Sequence, residues 1–523
     1  MINNEVYVGS TFTDLLFLAI RRYPHRVAFR DGAAQTTYTE LGELISRAQQ
    51  VLLELGIVRG DKVAQLAGNS VRNYAFMAAA YSMGICNVAL HAMGGADDHI
   101  HIVQESHAVL TVFDSHYIDR ATTLRRECKE VRHWFSHDQA SGFSSFWEMA
   151  SGFAPRPLIT DGKPNDIIRL AYTGGTTGRP KGVMLSNRAQ VATAICLLAG
   201  MDWPEEIQYL CCTPMSHGAG AFILPTLVRG GTVILQRHFK VETFLASIEN
   251  DDANVTWLVP TAIYALLDHP QTRLTDWKGM HLFAYSGAPM APARIKEALD
   301  VFGPCMAQLY GQTESPSTVL TLSKRDHASA DLFRLASAGQ PFPGIQVNLL
   351  DELGLPVPHG EVGEICVRGP LVMAGYWQQP EQTRLALNDG WLHTGDLARQ
   401  DDEGFFYIVD RKKDMFISGG FNVYPKEIEN VLVTHPDVAA SAVIGLPDEK
   451  WGERVTAFVQ KRPGADVLEE ELMQLIRDAK GSVYTPKSIH FVTALPLTPL
   501  GKIDKIALQS IGCSEYAKIQ REI

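Results

Sequence analysis

The sequence predicts an α/β protein: a large N-terminal domain of mixed sheets with helices, a β-rich subdomain, and a small α+β C-terminal domain. Three observations carry this expectation. Short apolar runs suited to buried strands recur along the first part of the chain, with helix-like segments between several of them. From about residue 336 the texture changes to short strands dense in Gly and Pro. From about residue 414 a mixed α and β pattern returns. The 523 residues also exceed what one hydrophobic core supports, so more than one domain is expected.

Taken in order, Thr39 reads as an N-cap before Leu41, Leu44, Ile45, Ala48, Leu52 and Leu55 at helical spacing, and Gly56 reads as the stop. A strand over 63–67 follows Asp61, and further strands are expected over 109–113, 167–172, 208–213, 232–235, 256–259 and 281–285. The alternation with helices favours mostly parallel sheets. The run Gly339-Gln340-Pro341-Phe342-Pro343-Gly344 and the run Gly360-Glu361-Val362-Gly363-Glu364 mark the β-rich subdomain, about 336–410. After it come a helix over 426–433, strands over 439–444 and 455–460, a helix over 468–478 and a last strand over 489–492. The charged run Asp410-Arg411-Lys412-Lys413-Asp414 separates two apolar segments, which sets the expected domains at 1–412 and 413–523.

Composition narrows the function classes. With 46% hydrophobic and 20% charged residues, disordered and fibrous classes are excluded. Lys+Arg 47 against Asp+Glu 58 gives 47 − 58 = −11, which argues against nucleic acid as a partner. Eight cysteines at 86, 128, 196, 211, 212, 305, 366 and 513 form no C-x-x-C pair and read as reduced, mostly buried thiols. Cys211 and Cys212, as strand neighbours, point to opposite faces and read as core. Met1-Ile2-Asn3-Asn4-Glu5 lacks the positive region of a signal peptide, and the longest apolar stretch, about 191–201, falls short of the roughly 20 residues of a membrane span. A cytoplasmic location without a transmembrane segment is the expectation; peripheral membrane contact and a homodimer stay open.

The strongest local signal is Tyr172-Thr173-Gly174-Gly175-Thr176-Thr177-Gly178-Arg179-Pro180-Lys181-Gly182, directly after a strand. Glycines let backbone approach an anion, hydroxyls donate hydrogen bonds and Lys181 adds positive charge, so the segment reads as a phosphate-gripping loop. It is not a Walker A sequence, because Arg-Pro-Lys follows Gly178. The competing interpretation is a hydrophilic hairpin turn.

This segment resembles the phosphate loop of the adenylate-forming superfamily of acyl-CoA synthetases, peptide-synthetase adenylation domains and firefly luciferase. Further motifs stand in that family's order. They are Pro214-Met215-Ser216-His217-Gly218-Ala219-Gly220, Ser286-Gly287-Ala288-Pro289, Tyr310-Gly311-Gln312-Thr313-Glu314, Thr394-Gly395-Asp396, Asp410 to Asp414, and Pro499-Leu500-Gly501-Lys502-Ile503. The resemblance spans at least 172–505. Two departures are Ser286 where the family commonly has Gly, and Gly174 where Ser is frequent.

The resemblance implies activation of a carboxylic acid by ATP. Attack of a carboxylate on the α-phosphate brings two anions together, so catalysis should rest on charge neutralisation and in-line geometry. The implied catalytic set is Lys502, Glu314, His217 and Thr173. ATP and AMP would be held by Thr173, Gly174, Gly175, Thr176, Thr177, Gly178, Lys181, Gly287, Ala288, Pro289, Tyr310, Gly311, Gln312, Thr313, Asp396, Arg411 and Lys502. Glu314 suits a magnesium ligand, with a solvated surface acid as the alternative. Asp396 suits the ribose hydroxyls, with a helix N-cap as the alternative. Lys502 would bridge carboxylate and α-phosphate, and Lys413 stands at the interdomain hinge position, in a charge run that otherwise reads as a solvated face.

His217 is read as a pocket gate, since an acid already ionised at neutral pH needs no base; a satisfied core histidine is the alternative. Ser418-Gly419-Gly420-Phe421 resembles the loop lining the thiol tunnel for coenzyme A, with Gly419, Gly420 and Phe421 as its wall. The acyl pocket is expected around His217, Phe222, Trp257, Tyr285 and Leu309, where Met215, Ala219, Leu258, Phe283 and Pro316 also lie and no Lys or Arg does. That favours an uncharged aliphatic, alicyclic or aromatic tail. The expectation is thus an ATP-dependent acid:CoA ligase using ATP, Mg2+ and coenzyme A through an acyl-AMP. The alternatives are transfer to a carrier protein, oxidation of the adenylate, or a non-catalytic sensor.

Overall fold

The computed structural model describes residues 9–173, 180–328, 331–448, 451–497 and 503–512. The chain forms two compact units, one of residues 1–289, 296–347 and 367–392, the other of 290–295, 348–366 and 393–523.

The first unit contains two large sheets. In the nine-stranded sheet, six parallel strands run in the order Met306–Gln312, Leu282–Tyr285, Val255–Leu258, Gln208–Cys211, Thr232–Leu235 and Val27–Asp31, with Ser315–Leu322 and Ala34–Thr37 added antiparallel at the two sides. In the eight-stranded sheet, the parallel order is Ile167–Thr173, Cys86–Ala89, Lys62–Leu66, Ala108–Phe113, His133–Ser136 and Ser144–Ser145, and Lys181–Ser186 returns antiparallel beside Ile167–Thr173. The central strands are buried along nearly their whole length, which is why they read as continuous apolar runs rather than alternating ones. The mixed α/β architecture expected from the sequence is what the chain adopts, with most strand ends displaced by no more than two residues; Val438–Asp448 ends four residues later than expected and Gly452–Lys461 starts three earlier.

One cap differs from expectation. The first amphipathic helix of the apolar-periodic stretch runs Tyr38–Glu54, and its N-cap is Thr37, not Thr39. The Thr37 hydroxyl accepts from the Glu40 N–H at 3.2 Å while the Glu40 carboxylate accepts from the Thr37 N–H at 2.7 Å, a reciprocal box that Thr39 cannot make. The Thr39 hydroxyl instead donates to the Pro24 carbonyl at 2.9 Å. Gly56 does end the helix: at φ +66° it lets Ile57 N–H reach the Leu52 carbonyl and its own N–H reach that of Leu53, both at 2.9 Å.

The second unit holds a sheet in which Trp391–Gln400 and Phe406–Arg411 pair antiparallel, and a C-terminal sheet ordered Phe421–Val423, Phe416–Ser418, Gly452–Lys461, Val438–Asp448, with Ser488–Val492 added parallel beside Gly452–Lys461. Helices Pro425–Leu432 and Glu469–Lys480 bury Ile428, Leu432, Leu472 and Ile476 into a core with Val443 and Val455. Glu429 is buried here and paired by the Lys505 ammonium at 3.0 Å and the Lys426 ammonium at 3.7 Å, while its Oε1 also accepts from the Val443 N–H at 3.0 Å. Full pairing is what makes a buried carboxylate tolerable. Burial pushes the nearby Asp410 carboxyl up to about 6, with Lys505 opposing that shift. Among the described residues no helix is long and apolar enough to cross a membrane.

Four histidines of the first unit are neutral rings, His99, His137 and His327 buried and His217 half-buried. His137 accepts the Trp147 indole N–H on Nδ1 at 3.0 Å, and His327 sits between the Tyr285 hydroxyl at 2.9 Å and the Ser323 carbonyl at 2.8 Å. Burial pushes His99 and His327 down to about 4, and His137 and His217 down to about 3. An unfolded imidazole titrates near 6.5, so as pH falls below that value the unfolded chain binds more protons than the folded one. The stability these groups contribute is therefore present above about pH 6.5 and is lost toward the folded values, at up to about 1.4 kcal/mol per pH unit for each group. A thermal denaturation series from about pH 7.5 to about pH 4.5 should show a falling midpoint, and His137→Gln should flatten the fall.

Candidate active site

The described side chains of the first unit expected to act on nucleotide or acid sit mostly on turns and at the ends of its strands. Thr173 closes strand Ile167–Thr173 and pairs in register with Lys181, so the phosphate-loop segment joins two antiparallel neighbours. Gly174, Gly175, Thr176, Thr177 and Gly178 lie outside the described residues. The Lys181 ammonium donates to the Gln382 side chain at 3.1 Å and lies 5.5 Å from the centre of the Tyr376 ring. The Tyr376 hydroxyl donates to Glu314 Oε1 at 2.8 Å. One aromatic ring therefore links the lysine of the phosphate loop to the carboxylate proposed for magnesium.

Glu314 owes its position to backbone geometry. Strands Met306–Gln312 and Ser315–Leu322 pair with Gln312 opposite Ser315, so Thr313 and Glu314 form the tip of a tight hairpin, with a register shift between Tyr310 and Gln312. Gly311 sits in that bulge: a Cβ there would lie 2.5 Å from Ser317 N and 2.7 Å from the Ser315 carbonyl oxygen. Only glycine allows this approach. The Met373 N–H donates to the Glu314 carbonyl at 2.8 Å and pins the tip from the other side. Ser286-Gly287-Ala288-Pro289 leaves the end of parallel strand Leu282–Tyr285, with Gly287 at φ +91°.

His217 follows strand Gln208–Cys211 and opens the short 3-10 turn Gly218–Phe222. Its loop is tightly wrapped. A Cβ on Gly218 would fall 2.4 Å from the Trp257 indole, and one on Gly220 would fall 1.8 Å from the Met215 carbonyl oxygen. The ring shares a hydrogen bond with the Ser216 hydroxyl at 2.9 Å and meets the His91 ring edge-to-face, centroids 4.6 Å apart. Burial, then His91 and Arg169, push its pKa down, so it is a neutral ring at physiological pH.

Trp257 stands beside this loop and donates its indole N–H to Ser286 at 3.1 Å. Phe222 is buried against Tyr209 and Trp203, and Leu309 is buried in its strand. Tyr285 is fully buried, with its hydroxyl within reach of Gln308 at 3.0 Å and His327 at 2.9 Å.

Three residues that sequence reasoning missed shape this half-site. Arg169, on strand Ile167–Thr173, donates to the Ser216 carbonyl at 2.5 Å and so brings a cation beside His217. His91 comes from the loop after strand Cys86–Ala89. Asn69, 3% exposed, donates to the Thr213 and Gln236 carbonyls at 2.9 Å each and accepts from the Met215 N–H at 2.8 Å. Each acts on a segment far away in sequence, so no local pattern announces it.

In the second unit, Asp396 and Arg411 face each other across paired strands, and the guanidinium meets the buried carboxylate at 3.1 Å. The turn before Asp396 is fixed by Gly395 N–H donating to Glu364 at 2.9 Å and by the Thr394 hydroxyl donating to the Ile365 carbonyl at 2.7 Å. Lys413 lies in the exposed turn after Arg411. Gly419 and Gly420, at φ +59° and +84°, form the two-residue turn between Ser418 and Phe421, and Phe421 is exposed. Lys502 lies outside the described residues, and among the described residues no group of three metal-ligating side chains gathers.

An AMP-binding enzyme domain matches residues 16–377, and an AMP-binding enzyme C-terminal domain matches residues 427–502. The chain belongs to the AMP-binding enzyme family. Its type is that of the acyl-CoA synthetases. This AMP-binding enzyme is 39% identical over 511 residues to the medium/long-chain fatty acid–CoA ligase FadD8 of Mycobacterium tuberculosis, covering 95% of this chain and 89% of the relative. It is 35% identical to a feruloyl-CoA synthase of Amycolatopsis, covering 93% and 96%. The solved amide bond synthetase McbA of Marinactinospora thermotolerans superposes with a TM-score of 0.89 at 31% identity, over 95% of this chain and 99% of that one.

Three substitutions at two positions test the geometry of this AMP-binding enzyme. Asn69→Ala should cost about 1–3 kcal/mol in urea unfolding through the carbonyls it leaves unpaired. Asn69→Asp should cost more, because a carboxylate would face the Thr213 and Gln236 carbonyls. Gly311→Ala should lower MgATP-dependent pyrophosphate release about tenfold or more by displacing the Glu314 tip.

Proposed function

We propose that this AMP-binding enzyme is an acid:CoA ligase that activates a carboxylic acid with an uncharged aliphatic, alicyclic or aromatic tail. The observation that carries the reading is the Lys181–Tyr376–Glu314 arrangement, with Tyr376 5.5 Å from the ammonium and 2.8 Å from the carboxylate. A phosphate-binding cation and a hard-metal ligand then share one neighbourhood, as transfer of an adenylyl group requires. Mg2+, when bound with ATP, supplies neutralisation of phosphate charge, and Glu314 is the residue that would hold it.

In the first step a carboxylate oxygen attacks the α-phosphorus of ATP. The bond to the β-phosphate oxygen breaks, and pyrophosphate leaves with its electron pair. Lys181 offsets phosphate charge, Asp396 and Arg411 serve the ribose, and Lys502 bridges carboxylate and α-phosphate. Neutral His217 gates the acyl pocket without moving a proton. In the second step, after the 413–523 domain turns about Lys413, the CoA thiol gives its proton to solvent, its sulfur bonds to the acyl carbon, and the acyl–oxygen bond to AMP breaks as AMP leaves with the electron pair. Gly419, Gly420 and Phe421 line the approach of the thiol.

Buried Met215, Ala219 and Phe222 support an apolar tail, and the Arg169 guanidinium is engaged by the Ser216 carbonyl. The relatives named for fatty acid and feruloyl substrates support the aliphatic and aromatic classes among those proposed. McbA, an amide bond synthetase, favours a second reading in which an amine takes the place of CoA.

Pyrophosphate release should be measured with MgATP across short, medium and long fatty acids, alicyclic and benzoate-type acids, with and without CoA. Sustained release only with CoA, for one acid class, is expected. A burst unchanged by CoA would point to a carrier protein or an amine as acceptor, and no release for any acid would favour a sensor. Lys502→Ala should lower acyl-AMP formation about a hundredfold or more while thioester formation from supplied acyl-AMP stays within a few fold. Equal loss in both halves would overturn the role given to Lys502.

A further inference from the structure

The loop after strand Cys86–Ala89 leaves the C-terminal end of a parallel strand, the region of an α/β sheet where ligands gather. It is held by an ordered set of side chains outside the machinery described above. Arg120 Nη1 lies 2.9 Å from His99 Nδ1 and 2.8 Å from the Gly94 carbonyl. A guanidinium only donates, so His99 Nδ1 must accept and the His99 proton must sit on Nε2. That Nε2–H then donates to the His91 carbonyl at 2.8 Å. Gly94 N–H reaches the same carbonyl at 2.8 Å, and a Cβ on Gly94 would lie 2.6 Å from His99 Nε2. The backbone at residue 91 is thus clamped from two sides.

The ring of His91 is fixed as well. Its Nδ1 accepts the Met93 N–H at 3.2 Å, which leaves the ring neutral with its proton on Nε2. It meets the His217 ring at an interplanar angle of 85° with centroids 4.6 Å apart. Such edge-to-face contact is favourable and orientation-dependent. His217 Nδ1 also shares a hydrogen bond with the Ser216 hydroxyl at 2.9 Å, and the next residue, Gly218, is packed against Trp257. The hydrogen bond holds the ring at one nitrogen, and the His91 ring holds it from a second side.

We propose that His91 is a positioning and specificity-determining residue for the acid substrate: clamped by Arg120 and His99, it sets the ring orientation of His217 and so the shape of the pocket mouth. This rests on the reading of the chain as an acid-activating enzyme gated by His217. Loss of the His91 ring frees His217 to turn, which changes the fit of the acid but leaves the nucleotide site intact.

The test compares wild type, His91→Ala and His91→Phe. In pyrophosphate release, His91→Ala should raise KM for the preferred acid about tenfold, hold KM for MgATP within about twofold, and broaden the set of acids accepted. His91→Phe, which keeps an aromatic edge, should recover most of the acid KM. A crystal structure of His91→Ala should show the His217 ring turned from its wild-type orientation. An unmoved His217 ring, or an acid KM and acid range equal to wild type, would overturn the proposal. So would equal rises in both KM values. If wild type activates no acid, the proposed function fails, and the His217 orientation in the variant still decides the inference.

Discussion

The two sheets of the large unit are joined at their functional ends by one buried amide. Asn69 leaves the strand Lys62–Leu66 of one sheet and spends its two N–H groups on the Thr213 and Gln236 carbonyls, which follow neighbouring strands of the other. Its oxygen takes the Met215 N–H, at the start of the loop that delivers His217. Leucine would offer similar bulk without donors, and aspartate would offer an acceptor where donors are needed. Asn69 is itself held in place, since Gly68 N–H donates to Asp114 and the Gly68 carbonyl accepts from Asn73. The strand ends carrying His91, Arg169 and His217 can share one surface only if the two sheets keep this register.

In both units the chain repeats one device, a candidate site side chain on a turn that glycine permits. Gly311 lets the hairpin fold tightly enough to put Glu314 at its tip, and Gly218 and Gly220 press the His217 loop onto Trp257 and the Met215 carbonyl. Gly395, at φ +73°, precedes Asp396. Gly419 and Gly420 show the limit of reading such residues from chemistry alone. Their positive φ angles are those of a two-residue hairpin turn, so the conformation demands glycine before any passage for a thiol arm is considered.

Much of the fold was legible because it depends on local pattern. Buried parallel strands appear as apolar runs, and the strand at 232–235 falls where the pattern put it. The helix start was misjudged by two residues for a physical reason: Thr37 and Glu40 form the reciprocal cap, whereas Thr39 already lies inside the helix. In the candidate site, the turns bearing Glu314, Asp396 and His217 were legible as ordered motifs. Asn69, His91 and Arg169 were not. An asparagine after a strand, a histidine in a loop and an arginine in a β-run are each ordinary alone. Their meaning arises only when strands distant in sequence become neighbours. No Lys or Arg stands near His217 in sequence, but the fold brings Arg169 beside its loop.

What charge the tail meets depends on where the charge of Arg169 is spent. A guanidinium aimed into an acyl pocket would call for an anionic group on the tail. One that caps a backbone carbonyl at 2.5 Å is already engaged in holding the loop. Neutral rings fit the second case. His217 and His91 are both pushed down in pKa, His217 by burial first and then by its neighbours, His91 by burial alone. Two uncharged imidazoles beside an engaged cation make a wall that neither repels nor demands charge at the tail. Lys181, on the strand after the phosphate-loop segment, is the cation proposed for phosphate, and the Glu314 carboxylate proposed for the metal stands across Tyr376 from it. Charge is thus concentrated where phosphates would lie and neutralised where the acyl chain would enter, the separation needed to bring a carboxylate up to a polyanion while keeping its tail in an apolar pocket.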